Sequence, residues 1–161
     1  SAPADFVASM PTPLGMLGLR STLDGLREIG FIADHAPARA PTDPLLLETM
    51  LRLDAYFAGA TADFSDLPLA PVGTPFQHRV WAALRAIPPG QTRRYGDLAA
   101  ELGTAPRAIG GACRANPLLL LVPCHRVVAS NGDGGFMGAA EGAWPQRKGQ
   151  LLAHERSHFG A

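Results

Sequence analysis

An apolar run interrupted by reactive side chains constrains this chain most. Residues 118–122 read Leu-Leu-Leu-Leu-Val, and a run of this length predicts a buried strand. Pro123 has no N–H to donate, so we expect the strand to end there. Cys124 and His125 follow, where two more core residues would be expected. Because a histidine can remove the proton of a cysteine, this segment predicts either a thiolate nucleophile or a buried structural cysteine.

Length and composition fit one domain or two small ones with an ordinary core. The chain has 161 residues, of which 47% are apolar and 17% charged, and no apolar run is long enough to cross a bilayer. The start lacks the basic and apolar segments of a signal peptide, so we expect a soluble cytoplasmic protein. Cys113 and Cys124 could pair on count alone, but they are too few for a structural zinc site. We therefore predict no metal and no cofactor.

The zero net charge conceals an asymmetry between the two halves. Residues 1–71 contain four basic and nine acidic side chains, whereas residues 72–161 contain ten basic and five acidic ones. The second half is therefore the half that would approach a polyanion, although this asymmetry alone is a weak indication of nucleic-acid binding.

The first 73 residues predict an α/β (α+β) domain, with an antiparallel sheet followed by a helix. The helix is expected to begin after Asp43 as N-cap, with Pro44 at its first position. Its apolar stripe is predicted to consist of Leu46, Met50, Leu53 and Phe57. The three strands are predicted at Phe6–Met10, Leu14–Leu19 and Leu26–Ile32. A Pro- and Gly-containing connector over 60–73 divides the chain into domains 1–73 and 74–161.

The second domain is predicted to be mostly helical, with a helix-turn-helix. One helix begins at Thr74 and Pro75, and two short ones span 95–102 and 106–115 with a Gly-containing turn between them. In the last of these, Gly110 and Gly111 would allow close approach of another helix or of a nucleic-acid backbone. Its inward face is predicted to be Ile109, Ala112 and Cys113, whereas Arg107 and Arg114 project together on one side.

The final helix, predicted over 144–157, places a carboxylate on its apolar face. Lys148, Leu151, Leu152 and Glu155 recur at helical spacing. Glu155 is either solvated near the chain end or bonded to a buried partner, for which His125 is the best candidate. If both approached Cys124, the histidine could draw the thiol proton, through a water. The thiolate could then attack a carbonyl or a saturated carbon, and these residues alone do not choose between the two.

Several motifs together resemble one known family. Pro123-Cys-His-Arg-Val127, preceded by Gly110-Gly-Ala-Cys-Arg-Ala-Asn-Pro117, resembles the active-site signature of the O6-alkylguanine-DNA alkyltransferases, also called methylated-DNA–protein-cysteine methyltransferases. Thr74–Trp81, Tyr95–Ala99 and Leu151–Glu155 are also similar to that family's pattern. The close resemblance covers residues 74–157, and the first 73 residues match loosely.

This resemblance implies a ribonuclease H-like N-terminal domain, a C-terminal winged helix-turn-helix domain and a DNA repair reaction. Cys124 would accept an alkyl group from O6 of guanine, and possibly from O4 of thymine, once per protein molecule and after base flipping. His125 and Glu155 would activate the thiol through a bridging water. Asn116 would order the turn around the site. Tyr95 would help rotate the nucleotide and stabilise the leaving guanine.

The resemblance also implies contacts with double-stranded DNA containing O6-alkylguanine, made by a monomer away from any membrane. Arg107 would take the place of the flipped base in the stack. The expected DNA-binding set is Tyr95, Arg107, Gly110, Gly111, Ala112, Arg114 and Ser130, and the expected substrate pocket is Val127, Phe136, Met137 and Gly138. The family has a Tyr-x-Gly-Gly pattern where this chain has Phe136-Met-Gly-Ala139. This difference affects the expected wall of the guanine pocket and the size of alkyl group that it accepts.

Three alternatives remain at this point. The first is a non-catalytic alkyltransferase-like protein that binds damaged DNA. The second is a cysteine hydrolase or acyl-transfer enzyme. The third is a plain winged-helix DNA-binding module in which Cys124 belongs to the core. In a bacterium we expect the protein in the cytoplasm, associated with the nucleoid.

Overall fold

The computed structural model describes residues 6–130 and 144–160. These residues form two compact units. The first comprises the described residues up to Val72 together with Pro117–Leu119, and the second comprises Gly73–Asn116 and the described residues from Leu120 onward. The grouping of Pro117–Leu119 with the first unit was not anticipated by a division at residue 73. Within the described ranges, no helix has the length and apolarity needed to cross a membrane.

The first unit contains a three-stranded antiparallel sheet and one helix, as predicted. Its strands β1 (Ala8–Thr12), β2 (Gly15–Thr22) and β3 (Gly25–Phe31) lie in chain order. Helix α1 (Pro44–Phe57) is capped by Asp43, whose side chain accepts the Leu46 N–H at 2.7 Å.

The buried face of α1 differs from the predicted stripe. Leu46 and Leu53 are buried as expected, but Thr49 and Tyr56 complete the face. Met50 and Phe57 are only half-buried. The polar Thr49 is tolerated there because its hydroxyl donates to the Leu45 carbonyl at 2.7 Å.

The second unit is mostly helical, which confirms the predicted fold class. Its helices are α2 (Pro75–Arg85), α3 (Tyr95–Leu102), α4 (Pro106–Arg114) and α5 (Trp144–His158). Two short strands, β4 (Arg93–Arg94) and β5 (Val127–Val128), pair in parallel. The α2 N-terminus carries a capping box, in which Thr74 and Gln77 each bond the other's backbone N–H.

Helices α3 and α4 form the predicted pair with a short turn. Gly103 ends α3 in the left-handed conformation, at φ 69°, which glycine adopts without strain. Helix α4 buries Ile109, Ala112 and Cys113, as its spacing predicted. The indole Nε1 of Trp81 donates to the Ala112 carbonyl at 2.9 Å and joins α2 to this helix.

The predicted strand Leu118–Val122 does not form. Leu118 makes a single bridge to Ile29, and Leu120 then adopts a left-handed conformation with φ 74°. That conformation is unfavourable for a non-glycine residue and takes the backbone out of any ladder. Four of the five residues of the apolar run, all except Leu119, are nevertheless buried, so the run supplies core side chains from an irregular segment.

Candidate active site

A tight turn at Pro123 positions the reactive cysteine. Pro123 has φ −81° and ψ 69°, the geometry of an inverse γ-turn, and the Cys124 N–H donates to the Val122 carbonyl at 2.8 Å. Asn116 Nδ2 donates to the same carbonyl at 2.8 Å. Residues Cys124–Arg126 then form one turn of 3-10 helix. The cysteine therefore lies in a helical turn, and not at the end of a strand as predicted.

This turn separates the side chains of three consecutive residues. A 3-10 helix has three residues per turn, so Cys124, His125 and Arg126 point in directions about 120° apart. All three are buried. The side chains of Cys124 and His125 therefore point in different directions.

Cys124 is a fully buried thiol that requires a base. Burial raises its pKa to about 11, although a hydrogen bond from Asn116 and the positive charge of Lys148 both act in the opposite direction. Cys113 is also buried and free, and burial raises its pKa further still. At neutral pH both groups are thiols, and Cys124 has the polar neighbours that favour its ionisation.

His125 and Glu155 form a hydrogen bond inside the unit. The distance between His125 Nε2 and Glu155 Oε2 is 2.7 Å, and the two side chains are 1% and 0% exposed. Burial by itself would raise the pKa of Glu155, but hydrogen bonds from His125 and Arg126 hold it well below its usual range. Burial lowers the pKa of His125, and the Glu155 hydrogen bond only partly offsets this. The pair is therefore a carboxylate and a neutral imidazole at neutral pH.

These charges determine the tautomer of His125. An ionised carboxylate can only accept a hydrogen bond, so Nε2 carries the imidazole proton. Nδ1 is then the basic nitrogen. It is buried and has no hydrogen-bond partner among the residues that the structure describes. A buried acceptor of this kind is suited to receive a proton.

Arg126, to which the sequence assigned no role, completes the group. Its Nε and Nη2 donate to the two oxygens of Glu155 at 2.8 Å and 2.9 Å. Its Nη1 donates to the Ile87 carbonyl at 2.6 Å. Its position in the sequence could have indicated this role, because Arg126 directly follows Cys124 and His125 as a third polar residue beside an apolar run.

Lys148 is a second missed residue. It is 2% exposed, and its ammonium group donates to the Val127 carbonyl at 2.7 Å and lies 5.6 Å from the centre of the Tyr95 ring. Tyr95 is itself buried, and its burial together with the nearby Cys113 and Cys124 raises the pKa of its phenol. The phenol therefore remains a hydrogen-bond donor. The helical spacing of Lys148 with Glu155 was the signal for its burial.

The predicted DNA-binding residues divide into exposed and buried ones. Arg107 and Arg114 are exposed on α4, and a Cβ built on Gly110 would meet no neighbouring atom within 4 Å. Ser130 is exposed after β5, and Val127 is buried. Ala112 is only 2% exposed, so it packs inward and leaves the DNA-facing set. Phe136, Met137 and Gly138 lie outside the described residues.

Helix α5 also contains a chance match to a metal motif. His154 and His158 flank Glu155 in the His-Glu-x-x-His spacing of zinc peptidases, a histidine spacing that the prediction of no metal had wrongly taken to be absent. In that motif the glutamate must act beside the metal, but Glu155 is buried against His125 and Arg126. Across 6–130 and 144–160, no three His, Cys, Asp or Glu side chains are grouped as metal ligands would be.

Comparisons with known proteins agree with the sequence resemblance. Residues 75–157 match the family described as "6-O-methylguanine DNA methyltransferase, DNA binding domain", and residues 6–71 match its "ribonuclease-like domain". A methylated-DNA–protein-cysteine methyltransferase of Methanosarcina acetivorans is 39% identical over 134 residues, which cover 79% of this chain and 85% of that protein. A protein of Thermus thermophilus named "DNA base-flipping protein" is 43% identical over 136 residues, covering 80% and 88%.

A solved structure is similar over nearly the whole chain. The crystal structure of Mycobacterium tuberculosis OGT in complex with DNA has a TM-score of 0.79 and 34% identity, and the match covers 95% of this chain and 94% of that one. The family suggested by the motifs is thus confirmed. By its sequence across both regions and by its fold, the chain belongs to the 6-O-methylguanine DNA methyltransferase family.

Proposed function

We propose that Cys124 accepts an alkyl group from O6 of guanine in DNA, in a single irreversible transfer that repairs the base. The observation that carries this proposal is the buried hydrogen bond between His125 Nε2, in the turn that holds the thiol, and Glu155 Oε2 on α5. The names of the relatives support the same reaction.

The charges of the buried group supply the base. Glu155 is ionised and is bound by Arg126, so His125 stays neutral with Nδ1 free to accept a proton. We propose that the Cys124 proton passes to Nδ1 through one water, since no described side chain bonds that nitrogen. The resulting imidazolium is stabilised by Glu155, because opposite charges attract strongly away from water.

The transfer itself is a displacement at a saturated carbon. The Cys124 sulfur forms a bond to the alkyl carbon as the bond from that carbon to O6 breaks, and the electron pair remains on the guanine. The leaving guanine takes up the proton that the thiol released. Tyr95, whose raised pKa keeps it protonated, donates a hydrogen bond to the leaving base. The product is a thioether, which water does not hydrolyse, so each protein molecule acts once.

Burial of the thiol requires the target base to leave the duplex. Cys124 is 0% exposed, and an O6 atom inside stacked DNA cannot reach it. We propose that α4 binds the minor groove, where Gly110 and Gly111 allow close contact and Arg114 meets the backbone. Arg107 would fill the gap left by the flipped base. Minor-groove binding reads little sequence, which suits damage at any guanine.

Further parts of the proposal concern the pocket and the cell. Val127, Phe136, Met137 and Gly138 are proposed to line the guanine pocket, and Asn116 to hold the turn beside it. Alkyl groups on O4 of thymine are a second proposed substrate. The protein is proposed to act as a monomer on double-stranded DNA, in the cytoplasm and at the nucleoid of a bacterium.

Mass spectrometry after reaction tests the main proposal. The protein is incubated with duplex DNA containing O6-methylguanine, digested and sequenced by fragmentation. We expect one added methyl group on Cys124, none on Cys113, and no further consumption of substrate after one equivalent. Cys124→Ala should bind the duplex and gain no methyl group. Absence of label on Cys124 in the wild type would reject the transfer.

The same experiment separates the alternatives. One relative is named a base-flipping protein, so a binder without transfer activity is the second candidate function. Tight binding of modified DNA with no methyl transfer would support that candidate. Steady turnover of an ester or peptide would instead support a cysteine hydrolase. Cys124→Ala that changes only stability would support a plain DNA-binding module.

A further inference from the structure

A cleft lies beside the active-site segment and outside the helix-turn-helix. Its volume is about 350 Å³, and its polar lining comes from Thr92, Arg93, Arg94, Asp97 and Ser130. None of the roles proposed above explains why two consecutive arginines line it.

The fold ties this cleft to the reactive residues on two sides. Strands β4 and β5 pair in parallel, with Arg94 opposite Val128, so Ser130 follows two residues beyond that pair. The same β5 strand begins directly after the turn that contains Cys124. On the other side, Arg94 immediately precedes Tyr95, the first residue of α3. Any nucleotide handled by Cys124 and Tyr95 therefore brings its own backbone close to the cleft.

The charges of the cleft favour an anion. Arg94 is exposed, and its side chain forms no ion pair or hydrogen bond with any residue of 6–130 or 144–160. Arg93 pairs with Glu101 at 3.1 Å, but both side chains are partly exposed, and such pairs exchange partners at little cost. Asp97 opposes an anion, and Thr92 and Ser130 offer hydroxyl groups. Arginine with nearby hydroxyls is a common arrangement for DNA phosphate contacts.

The start of α3 adds to this preference. Arg94 is the N-cap residue, and no side chain in the described part of the chain caps the helix. The first N–H groups of α3 therefore lack a side-chain acceptor, and the positive end of its dipole lies next to Arg94. A phosphate oxygen is a suitable acceptor for such groups.

We infer that this cleft binds a phosphodiester group of the DNA strand that carries the flipped nucleotide. Arg94 and the Ser130 hydroxyl contact the phosphate. Arg93 leaves Glu101 and pairs with the phosphate instead. The negative charge of Asp97 limits the affinity. The inference rests on the proposed function, since it needs a nucleotide at Cys124. Ser130 was already expected to contact DNA from the family resemblance, and the inference adds that the two arginines before α3 complete a phosphate site with it.

Two opposite substitutions test the cleft. Arg94→Gln should weaken binding of a duplex containing O6-methylguanine about five- to tenfold at low salt and reduce the dependence of log Kd on log salt by about one. Asp97→Asn should tighten binding of the same duplex. The matched control is Arg85→Gln, which removes an exposed arginine of the same unit outside the cleft. Thermal melting checks that each variant is folded.

A substrate without phosphate separates the cleft from the chemistry. With the free base O6-methylguanine, Arg94→Gln should transfer methyl at the wild-type rate, whereas with methylated duplex at limiting concentration it should be slower by the binding factor. If Arg94→Gln loses the same factor in methyl-transfer rate on the free base and on the duplex, the inferred phosphate site is wrong. It is also wrong if neither Arg94→Gln nor Asp97→Asn changes duplex binding. Failure of the wild type to be methylated by the duplex would instead reject the proposed function.

Discussion

Arg126 and Glu155 form a bidentate ion pair, with Nε–Oε1 and Nη2–Oε2 distances of 2.8 Å and 2.9 Å, away from solvent. This pair sets the charge of the site, because it satisfies the carboxylate without a proton on His125. Arg126 is thus a positioning residue that acts through Glu155. The carboxylate can accept the hydrogen bond from Nε2–H while the permanent positive charge of Arg126 balances its negative charge.

Replacement of Arg126 by Met should therefore change the pH dependence as well as the stability. Loss of one partner of a buried pair costs about 3–5 kcal/mol of unfolding free energy. Without the guanidinium charge the pKa of His125 should rise, so methyl transfer should begin to fail at a higher pH than in the wild type. Single-turnover rates from pH 5.5 to 8.5 measure this. Arg126→Lys, which keeps the charge but not the bidentate geometry, is the control, and an unshifted profile in the Met variant would contradict the role.

His125→Gln should slow transfer at neutral pH by about 10²- to 10⁴-fold, the usual contribution of a general base. The thiol would then react only through its spontaneous ionisation, and its pKa is raised to about 11 by burial. Its rate should rise about tenfold per pH unit between roughly pH 7 and 10, because the thiolate fraction does so. The wild-type rate should be much flatter above the lowered pKa of His125. Parallel profiles for the two proteins would exclude His125 as the base.

Stability should fall on acidification in two steps. The folded-state pKa of His125 lies below its ordinary value of 6.5, and that of Glu155 lies below 4.5. As the pH falls, each group takes up its proton in the unfolded chain before it does so in the folded protein. Its contribution to the unfolding free energy is therefore fully present above its ordinary pKa and is lost as the pH falls toward its folded-state pKa. Urea unfolding at pH 7.5, 5.5, 4 and 2.5 measures both steps. In His125→Gln, the loss between pH 7.5 and 5.5 should shrink, and an unchanged loss would count against the assignment.

The alkylated protein should be less stable than the free one. Cys124 is fully buried in a close-packed turn, so an added alkyl group overpacks the site, at a cost of about 1–3 kcal/mol. Calorimetric melting of the protein before and after reaction measures the difference. The Cys124→Ala variant treated with the same DNA controls for bound DNA, and an equal or higher Tm after alkylation would contradict the expectation.

Local features of the fold could be predicted because their causes are local. Asp43 and Thr74 cap helices where N-cap residues precede proline, and Gly103 ends α3 as a glycine does. The spacing of Leu151, Leu152 and Glu155 placed a carboxylate on a buried face. Of the two environments that this position allowed, the structure forms the buried one, and His125 is the partner as predicted.

The features that the sequence did not predict depend on contacts between residues distant in sequence. The apolar run around Leu120 predicts burial correctly, but whether it forms a strand depends on the availability of a neighbouring strand. Ala112 was expected both on the inward face of α4 and in the DNA-binding set, and only the structure decides for the inward face, where its carbonyl accepts the Trp81 Nε1–H. No local pattern could show that Arg126 reaches Glu155, 29 positions away, or that Arg94 and Ser130 line one cleft.

The sequence by itself determined the family, the helices of the second unit and the identity of the thiol, histidine and carboxylate, since these follow from motifs and short-range periodicity. Only the tertiary structure decided that the cysteine lies in a 3-10 turn, that Arg126 balances Glu155 and that Lys148 supports the backbone at Val127. The physical reason is that buried charges are stable only with partners, and those partners are chosen by packing in three dimensions.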